Sequence, residues 1–349
     1  MKLAGSTAEI VAAVQDWLGH DGEPEPLIVS TSGSTGAPKR VVLSRRAVLA
    51  SVSATAERLG AEGRWVLALP ATYVAGLMVI VRSLVAGKAP IVLGPHQTMA
   101  STLEWQASMA PRRFVSLVPT QLHRLLDSPT ETASLRRFHT ILLGGGPIDP
   151  SLRARAEKAG LHVVATYGSS ETAGGCVYDG VPLPGVRVDL GEDGRIRLAG
   201  PMLFEGYDGE PELTAQTLVD GWFVTSDLGR WAPDGRLEVV GRADDVVVSG
   251  GVNVPLPAVA ARLRAHPRVR EVEVLGVSDA EWGQRVVAFV VGQVGLGEVG
   301  LGDVRLDEVR DWVSQELPRT WAPRQLVMVE SMPLLPHGKV DRERLRGLV

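Results

Sequence analysis

The segment from Ser30 to Ser44 concentrates short hydroxyl side chains and glycines ahead of one lysine. Four hydroxyl residues fall within the five positions Thr31–Thr35, and Lys39 closes the segment. The N–H and hydroxyl groups of such a loop can bind phosphate oxygens. A Walker loop is excluded, because Gly33, Gly36 and Lys39 have the wrong spacing. These residues alone leave two interpretations open, a phosphate-binding loop and a mobile Ser/Gly connection.

A second candidate is the segment Thr166–Gly175, which follows a predicted buried strand. Glu171 lies there among glycines and hydroxyl side chains, at the carboxyl end of a strand, where α/β sheets bind their ligands. One carboxylate can bind Mg²⁺ while water and ligand phosphates complete the octahedron. The alternative is an N-cap turn, in which Ser169 or Ser170 begins a following helix. Both interpretations are open on these residues alone.

Two charged residues further along the chain could bind a nucleotide, and a lysine lies on a predicted loop beyond them. Asp227 follows a predicted strand, Trp222–Thr225, and a carboxylate there can accept hydrogen bonds from both ribose hydroxyls. Arg242 offers a planar guanidinium to ribose or phosphate, and Lys339 lies on a predicted loop. Each residue also has an ordinary interpretation. Asp227 could be an aspartate in a turn, and Arg242 could lie in a solvated linker that includes Asp244. Lys339 could be a basic residue that aids solubility.

One glycine pattern is rejected. Gly295–Gly300 matches the dinucleotide fingerprint in its spacing, but it lies in a glycine-dense segment and no long helix is predicted from its third glycine. The acidic residue expected about twenty positions later, after a second strand, is also missing. The pattern therefore indicates a loop.

The elements that must position the candidate residues follow from apolar periodicity. The pattern Ser6–Glu9 is typical of a capping box and predicts a helix to about Leu18. From there to Glu171, short buried strands alternate with helices, which implies a covered parallel sheet. The predicted strands are Leu27–Thr31, Val41–Leu43, Trp65–Leu69, Pro90–Leu93, Phe114–Val118, Thr140–Leu143 and His162–Thr166.

After Glu171 the pattern changes twice. Short strands and the turns Glu192–Gly194 and Pro233–Gly235 predict an antiparallel subdomain. From about Arg242, two helices and three strands predict a small α+β domain. The fold class is therefore α/β, with a large domain of parallel and mixed sheets plus an antiparallel subdomain, residues 1–243, and a small mobile α+β domain, residues 244–349.

Composition excludes some partners. The 349 residues carry a net charge of -4, which argues against nucleic acid. Cys176 is the sole cysteine, so no intramolecular disulfide can form. The uncharged run Trp65–Val81 is too short for a membrane span, and no signal peptide is apparent. We expect a cytoplasmic protein without a membrane span, and a homodimer is left open.

Taken in order, the motifs resemble those of the adenylate-forming superfamily, which comprises acyl-CoA synthetases, peptide-synthetase adenylation domains and luciferases. The phosphate-loop motif corresponds to Thr31–Lys39, with Arg40 where glycine is usual, and the Tyr-Gly-x-Thr-Glu motif to Tyr167–Glu171, with Ser170 at the threonine position. The later motifs are Thr225–Asp227, Gly241–Asp245, Ser249–Gly251 and Pro336–Lys339. The resemblance covers the chain from residue 27.

The resemblance implies a two-step reaction. A small-molecule carboxylic acid attacks the α-phosphorus of ATP and expels pyrophosphate, and the thiol of coenzyme A then attacks the acyl-adenylate and releases AMP. Mg²⁺ is the implied metal, held by Glu171, and Lys339, Glu171 and Ser170 are the implied catalytic residues. The implied nucleotide-binding residues are Thr31, Ser32, Gly33, Ser34, Thr35, Gly36, Lys39, Gly145, Gly146, Tyr167, Gly168, Asp227 and Arg242.

The resemblance also implies a hinge at Asp244 and a loop on the CoA side made of Ser249, Gly250 and Gly251. The short large domain and the segment Leu69–Gly87 resemble the 2-succinylbenzoate–CoA ligases of menaquinone biosynthesis. Tyr73 stands where many relatives have histidine, and we expect it to line the acyl pocket. Two alternatives are a CoA ligase for another aryl or short- to medium-chain acid, and a non-catalytic adenylate-binding protein.

Overall fold

A computed structural model gives the structure of the chain and describes residues 1–31, 39–94, 97–105, 112–292, 304–335 and 338–349. The described residues divide into two compact units. The first comprises Met1–Gly191, Arg197–Thr225 and Trp231–Leu237, and the second comprises Glu192–Ile196, Ser226–Arg230 and Glu238–Val349. The boundary after residue 243 stays a prediction.

The first 191 residues form the elements that the apolar pattern predicts, with small shifts at their ends. The Ser6 side chain accepts from the Glu9 N–H while the Glu9 carboxylate accepts from the Ser6 N–H, so the capping box is confirmed. The helices are α1 Thr7–Gly19, α2 Arg45–Leu59, α3 Val74–Val85, α4 Met99–Trp105, α5 Pro119–Leu126, α6 Pro129–Leu135 and α7 Pro150–Lys158. The strands are β1 Leu27–Ser30, β2 Arg40–Leu43, β3 Arg64–Leu67, β4 Ile91–Val92, β5 Arg113–Leu117, β6 Thr140–Leu143, β7 Val163–Ser169, β8 Gly174–Tyr178 and β9 Val181–Pro182.

The predicted parallel sheet has the strand order β4-β3-β5-β6-β7-β8-β9. Strands β3 to β7 pair in parallel, and β8 returns antiparallel to β7. Ile141 and Leu143 of β6, both fully buried, belong to a core that also takes in Leu122 of α5 and Leu152 of α7. Helices that cover a parallel sheet in this way explain why its strands are continuously apolar.

Strands β1 and β2 do not join the parallel sheet. They pair antiparallel with each other, and β12, Gly206–Tyr207, pairs antiparallel with β2. The periodicity predicts the two strands correctly but cannot assign their sheet, because a short buried strand has the same apolar pattern in either sheet.

The middle of the chain forms the predicted short strands around one helix. Their bounds are β10 Arg187–Leu190, β11 Arg195–Ala199, β12 as above, α8 Pro211–Thr217, β13 Leu218–Val219, β14 Trp222–Trp231 and β15 Leu237–Arg242. The strand order is β10-β11-β14-β13, with β15 paired to β14. The prediction that Asp227 follows a strand is wrong, because Asp227 lies within β14. β14 continues past Thr225 because its backbone groups find hydrogen-bond partners. The Gly229 N–H, for example, donates to the Gly194 carbonyl oxygen at 3.0 Å.

The remaining elements belong to the second unit and have the predicted α+β character. They are β16 Val246–Ser249, β17 Val252–Pro255, α9 Leu256–Arg264, β18 Val269–Asp279, β19 Gly283–Gly292, α10 Leu306–Ser314, β20 Gln325–Met328 and α11 Arg342–Arg346. The sheet order is β17-β16-β19-β18, with β20 parallel to β19. Its apolar core includes Val259 of α9, Ala288 of β19 and Val309 of α10. The rejected pattern Gly295–Gly300 lies outside the described residues.

Within the part of the chain that the structure describes, every helix is too short or too polar to span a membrane.

Candidate active site

The loop between β1 and β2 is closed at its base by hydrogen bonds between its two ends. The Thr31 N–H donates to the Lys39 carbonyl oxygen at 2.8 Å, and the Lys39 N–H donates to Thr31 Oγ1 at 3.1 Å. The adjoining ladder pair is Ser30 with Arg40. Strands β1 and β2 therefore form a hairpin around this loop. The remaining predicted phosphate ligands lie outside the described residues; they are Ser32, Gly33, Ser34, Thr35 and Gly36.

Glu171 lies on a single 3-10 turn, Ser170–Thr172, between β7 and β8. The Thr172 hydroxyl closes the turn, because its Oγ1 accepts from the Ser169 N–H at 2.9 Å and donates to the Gly174 carbonyl oxygen at 2.7 Å. Ser169 occupies the N-cap position of this short 3-10 helix, as the alternative of an N-cap turn predicts, but no α-helix follows because β8 starts at Gly174. The turn instead presents Glu171 at the end of a strand.

Three contacts from other elements hold this turn. Ser51 Oγ of α2 donates to the Ala173 carbonyl oxygen at 2.9 Å. The Phe204 N–H donates to the Glu171 carbonyl oxygen at 2.9 Å, and Tyr207 Oη donates to Glu171 Oε1 at 2.8 Å. The backbone and the carboxylate of Glu171 are both positioned by these bonds. Ser170, predicted as catalytic, lies buried beside it.

The Glu171 carboxylate is buried, with 8% of the residue exposed. Burial raises the pKa of Tyr207 above its ordinary value, and the neighbouring Glu171 charge raises it further. The phenol therefore stays protonated at neutral pH and can only donate to the carboxylate. Among the ranges that the structure describes, no three His, Cys, Asp or Glu side chains group together as a metal cage. A lone carboxylate fits Mg²⁺, which takes most of its ligands from water and phosphates.

The loop after β6 and the end of β7 lie at the same edge of the sheet, because Leu143 pairs in parallel with Ala165. A Cβ atom on Gly144 would approach Thr166 Oγ1 to 2.3 Å, so only glycine fits there. Gly145 has a φ of 78°, in the left-handed region. The structure thus brings the predicted nucleotide-binding residues Gly145, Gly146, Tyr167 and Gly168 to one edge.

Tyr73 occupies the N-cap position of α3, where its side chain makes no capping hydrogen bond. Its backbone N–H donates to the Pro70 carbonyl oxygen at 3.3 Å. Gly76, in the first turn of the helix, permits the close approach of the same carbonyl, because a Cβ there would lie 2.1 Å from it. The role of Tyr73 in an acyl pocket stays a prediction.

In the second unit, Arg242 lies between two acidic side chains. Its Nη2 donates to Asp244 Oδ2 at 2.7 Å, and its Nη1 lies 3.9 Å from Asp227 Oδ1. Burial acts to lower the pKa of Arg242, but Asp244 and Asp227 raise it above its ordinary value. The structure therefore brings the predicted ribose-binding pair together, and it places Asp244 on a 3-10 turn, Ala243–Asp245.

The predicted CoA-side loop is the turn of the β16–β17 hairpin. Ser249 pairs with Val252, and Gly250 and Gly251 between them have φ values of 58° and 78°. A two-residue turn with both residues in the left-handed region is favoured by glycine. The Gly250 N–H donates to the Trp282 carbonyl oxygen at 2.9 Å, so the turn is anchored to the adjacent strand connection.

Lys339 lies on a tight turn near the last helix. The Leu335 N–H donates to the Lys339 carbonyl oxygen at 2.8 Å, and the Gly338 N–H donates to the Leu335 carbonyl oxygen at 2.8 Å. Leu334 and Val340 form an antiparallel bridge beside the turn. The predicted loop is confirmed by these bonds, while Pro336 and residue 337 lie outside the described residues.

Family models match most of these segments. Residues 26–208 match the model described as AMP-binding enzyme, and residues 258–339 match the model described as AMP-binding enzyme C-terminal domain. The chain belongs to the AMP-binding enzyme family. The first match covers the β1–β2 hairpin, the Glu171 turn and β12, and the second ends at Lys339. The predicted membership of the adenylate-forming enzymes is confirmed.

Two of the similar proteins are named as 2-succinylbenzoate–CoA ligases, one of them as probable. A protein of Mycobacterium tuberculosis named "Probable 2-succinylbenzoate--CoA ligase" is 43% identical over 326 residues, covering 91% of this chain and 83% of the relative. The 2-succinylbenzoate–CoA ligase of Enterococcus faecalis is 30% identical and covers 93% of this chain and 70% of the relative.

Solved structures show the same fold. The o-succinylbenzoate CoA synthetase MenE of Bacillus subtilis, in complex with the acyl-adenylate intermediate OSB-AMP, superposes with a TM-score of 0.76 at 26% identity, covering 92% of this chain and 68% of that one. The same enzyme in complex with ATP and magnesium ion gives a TM-score of 0.75 at 25% identity, covering 92% and 69%. The predicted α/β fold class is confirmed.

Proposed function

We propose that this protein is an AMP-forming 2-succinylbenzoate–CoA ligase that acts in menaquinone biosynthesis. The observation that carries the choice of acid is the 43% identity to the Mycobacterium tuberculosis relative across 91% of this chain. The reaction class is supported by the buried Glu171 turn and by the hairpin closed between Thr31 and Lys39. The proposal includes a cytoplasmic location, where ATP and CoA are available.

In the first half-reaction, the acid carboxylate attacks the α-phosphorus of ATP, the bond to the bridging oxygen breaks, and pyrophosphate leaves with that oxygen. The physical problem is the approach of two anions, which preorganised positive charge and hydrogen-bond donors offset. Lys39 stands at the base of the hairpin, where it would face the leaving pyrophosphate. Mg²⁺ bound to Glu171 would supply further positive charge to the phosphate oxygens.

Other residues would bind the rest of the nucleotide and the acid. Arg242 and Asp227 would bind the ribose, since a guanidinium and a carboxylate together offer donors and an acceptor to its hydroxyls. Lys339 would bind the acid carboxylate and the α-phosphate during adenylation. In the second half-reaction the CoA sulfur attacks the acyl carbon, AMP leaves, and the Ser249–Gly251 turn would face the thiol.

The experiment is a pyrophosphate-release assay over a panel of aryl and short-chain acids, with and without CoA. We expect 2-succinylbenzoate to give the highest kcat/KM and acyl-CoA to form only when CoA is present. A preference of tenfold, about 1.4 kcal/mol, for another acid would assign the enzyme to that acid instead. If no acid releases pyrophosphate although ATP binds, the protein is a non-catalytic adenylate-binding protein.

A further inference from the structure

Tyr207 is a buried side chain with two neighbours in the candidate site. Its hydroxyl donates to Glu171 Oε1 at 2.8 Å, and the Lys39 ammonium nitrogen lies 5.2 Å from the centre of its ring. The residue is 5% exposed. One aromatic side chain thus contacts the predicted metal ligand through its edge and the predicted phosphate-binding lysine through its face.

The backbone of Tyr207 is tied to the strand that leads out of the phosphate-loop hairpin. Tyr207 pairs with Val41 of β2, two residues after Lys39. On its other side, the Tyr207 N–H donates to Thr214 Oγ1 of α8 at 2.8 Å. The position of the hydroxyl is therefore fixed by the same sheet that positions Lys39.

The hydrogen bond from Tyr207 restricts the rotation of the Glu171 carboxylate. A carboxylate on a freely rotating side chain can present either oxygen, or both, to a cation. With Oε1 accepting the Tyr207 hydroxyl, the rotation of the group is fixed and Oε2 becomes the oxygen presented to a ligand. Mg²⁺ demands nearly ideal octahedral geometry, so a fixed oxygen suits it. Partners that orient metal ligands in this way affect metal affinity strongly.

We propose that Tyr207 is a positioning residue for adenylation, whose hydroxyl orients Glu171 toward Mg²⁺ and whose ring supports the Lys39 ammonium. This inference rests on the proposed function, because it assigns Glu171 and Lys39 the roles given there. The cation–ring contact is of the kind that stabilises a lysine over an aromatic face.

The test is the Mg²⁺ dependence of ATP binding, measured by titration calorimetry without any acid or CoA. Tyr207→Phe keeps the ring and removes the hydroxyl. We expect the Mg²⁺ concentration at half-saturation to rise about tenfold, the lower end of the effect of outer-shell partners on metal affinity. Saturating Mg²⁺ should restore ATP binding. Tyr207→Leu, which also removes the ring, should in addition weaken ATP binding at saturating Mg²⁺.

The matched control is Tyr178→Phe. Tyr178 is a fully buried tyrosine, but its hydroxyl lies 3.1 Å from Thr55 Oγ1 and not at Glu171. We expect its Mg²⁺ dependence to equal that of the wild type. If Tyr207→Phe folds poorly, Thr214→Val tests the same residue, because it removes the acceptor of the Tyr207 N–H. It should shift the Mg²⁺ dependence in the same direction.

The outcomes separate this inference from the proposed function. Equal Mg²⁺ dependence in folded Tyr207→Phe and wild type, or an equal shift in Tyr178→Phe, would overturn the role of Tyr207 alone. A wild type that binds ATP but does not activate 2-succinylbenzoate would overturn the choice of acid and leave this inference standing. A wild type that binds no ATP would overturn both.

Discussion

Arg342 and Asp245 form an ion pair in which Arg342 Nη1 donates to Asp245 Oδ1 at 2.8 Å. Arg342 Nε also donates to Glu273 Oε1 at 2.7 Å. Burial acts to lower the pKa of Arg342, but Glu273 and Asp245 raise it above its ordinary value. Arg342 follows Lys339 by three residues, so the Lys339 turn and Asp245 are joined within the second unit. The hinge at Asp244 stays a prediction.

Asp244→Pro tests the proposed hinge. The substitution fixes one backbone torsion in the turn Ala243–Asp245. We expect CoA-dependent consumption of the adenylate to slow far more than adenylate formation. Under the proposed function, the thiol must reach in the second step the carbonyl that Lys339 would approach in the first. Single-turnover measurements of both steps check this.

Asp244→Ala is the control for that variant. It removes the carboxylate that accepts from Arg242 Nη2 but leaves the backbone torsion free. An equal slowing of thioester formation in both variants would assign the effect to the lost ion pair. Wild-type rates in Asp244→Pro would mean that the hinge lies elsewhere or that no rotation is needed.

Lys339→Ala should suppress adenylate formation by about 10²–10³, the usual effect of losing a group that stabilises transition-state charge. Thioester formation from supplied acyl-adenylate should be spared, since the lysine charge matters only while two anions approach. Lys158→Ala, on the exposed face of α7, is the control and should leave both steps unchanged. Equal losses in the two steps of Lys339→Ala would contradict the role.

Local features of the fold were predictable from sequence, and distant contacts were not. The Ser6–Glu9 capping box depends on residues three apart, and the Gly250–Gly251 turn on two adjacent glycines. Tyr207 and Glu171 are separated by 36 residues. Tyr207 lies on a two-residue strand, which carries no periodicity, so no local pattern reveals its contact with the Glu171 turn.

The same reasoning explains two other features that the sequence did not predict, the extent of β14 and the partner of Asp245. Asp227 was expected after a strand because the apolar pattern ends at Thr225, yet cross-strand hydrogen bonds extend β14 to Trp231. The ion pair of Asp245 with Arg342 spans 97 residues. Sequence placed Asp245 at the end of the Gly241–Asp245 motif but could not reveal its partner, since pairing across such distances is determined by tertiary packing.

Glu171→Gln should raise the Mg²⁺ concentration needed for pyrophosphate release by at least about tenfold, because a neutral amide binds a hard cation poorly. The amide oxygen can still accept from Tyr207, so the turn should keep its structure. Glu205→Gln changes an exposed carboxylate nearby and is the control. Unchanged Mg²⁺ dependence in Glu171→Gln would show that Glu171 only stabilises the turn.

The buried thiol of Cys176 makes stability depend on alkaline pH. Burial raises its pKa from the ordinary value of 9.0 to about 12, and a hydrogen bond with Thr172 opposes part of that rise. Between these two values the unfolded chain has lost the proton and the folded chain retains it. The folded state then binds more protons, so the free energy of unfolding falls as pH rises.

The contribution of Cys176 is fully present below about pH 9 and decreases by ~1.4 kcal/mol for each further unit up to the folded pKa. Cys176→Ala removes this term. We expect urea unfolding at pH 8, 9, 10 and 11 to give a free energy that falls less steeply in Cys176→Ala than in the wild type, with the curves converging as pH rises. Comparison at each pH cancels the titration of the tyrosines and lysines, which both proteins share. Parallel curves would mean that the folded protein accommodates the Cys176 thiolate, which contradicts the prediction. Rapid alkylation of Cys176 in the native protein at pH 9 would contradict it too, because it would show that the thiol is accessible to solvent.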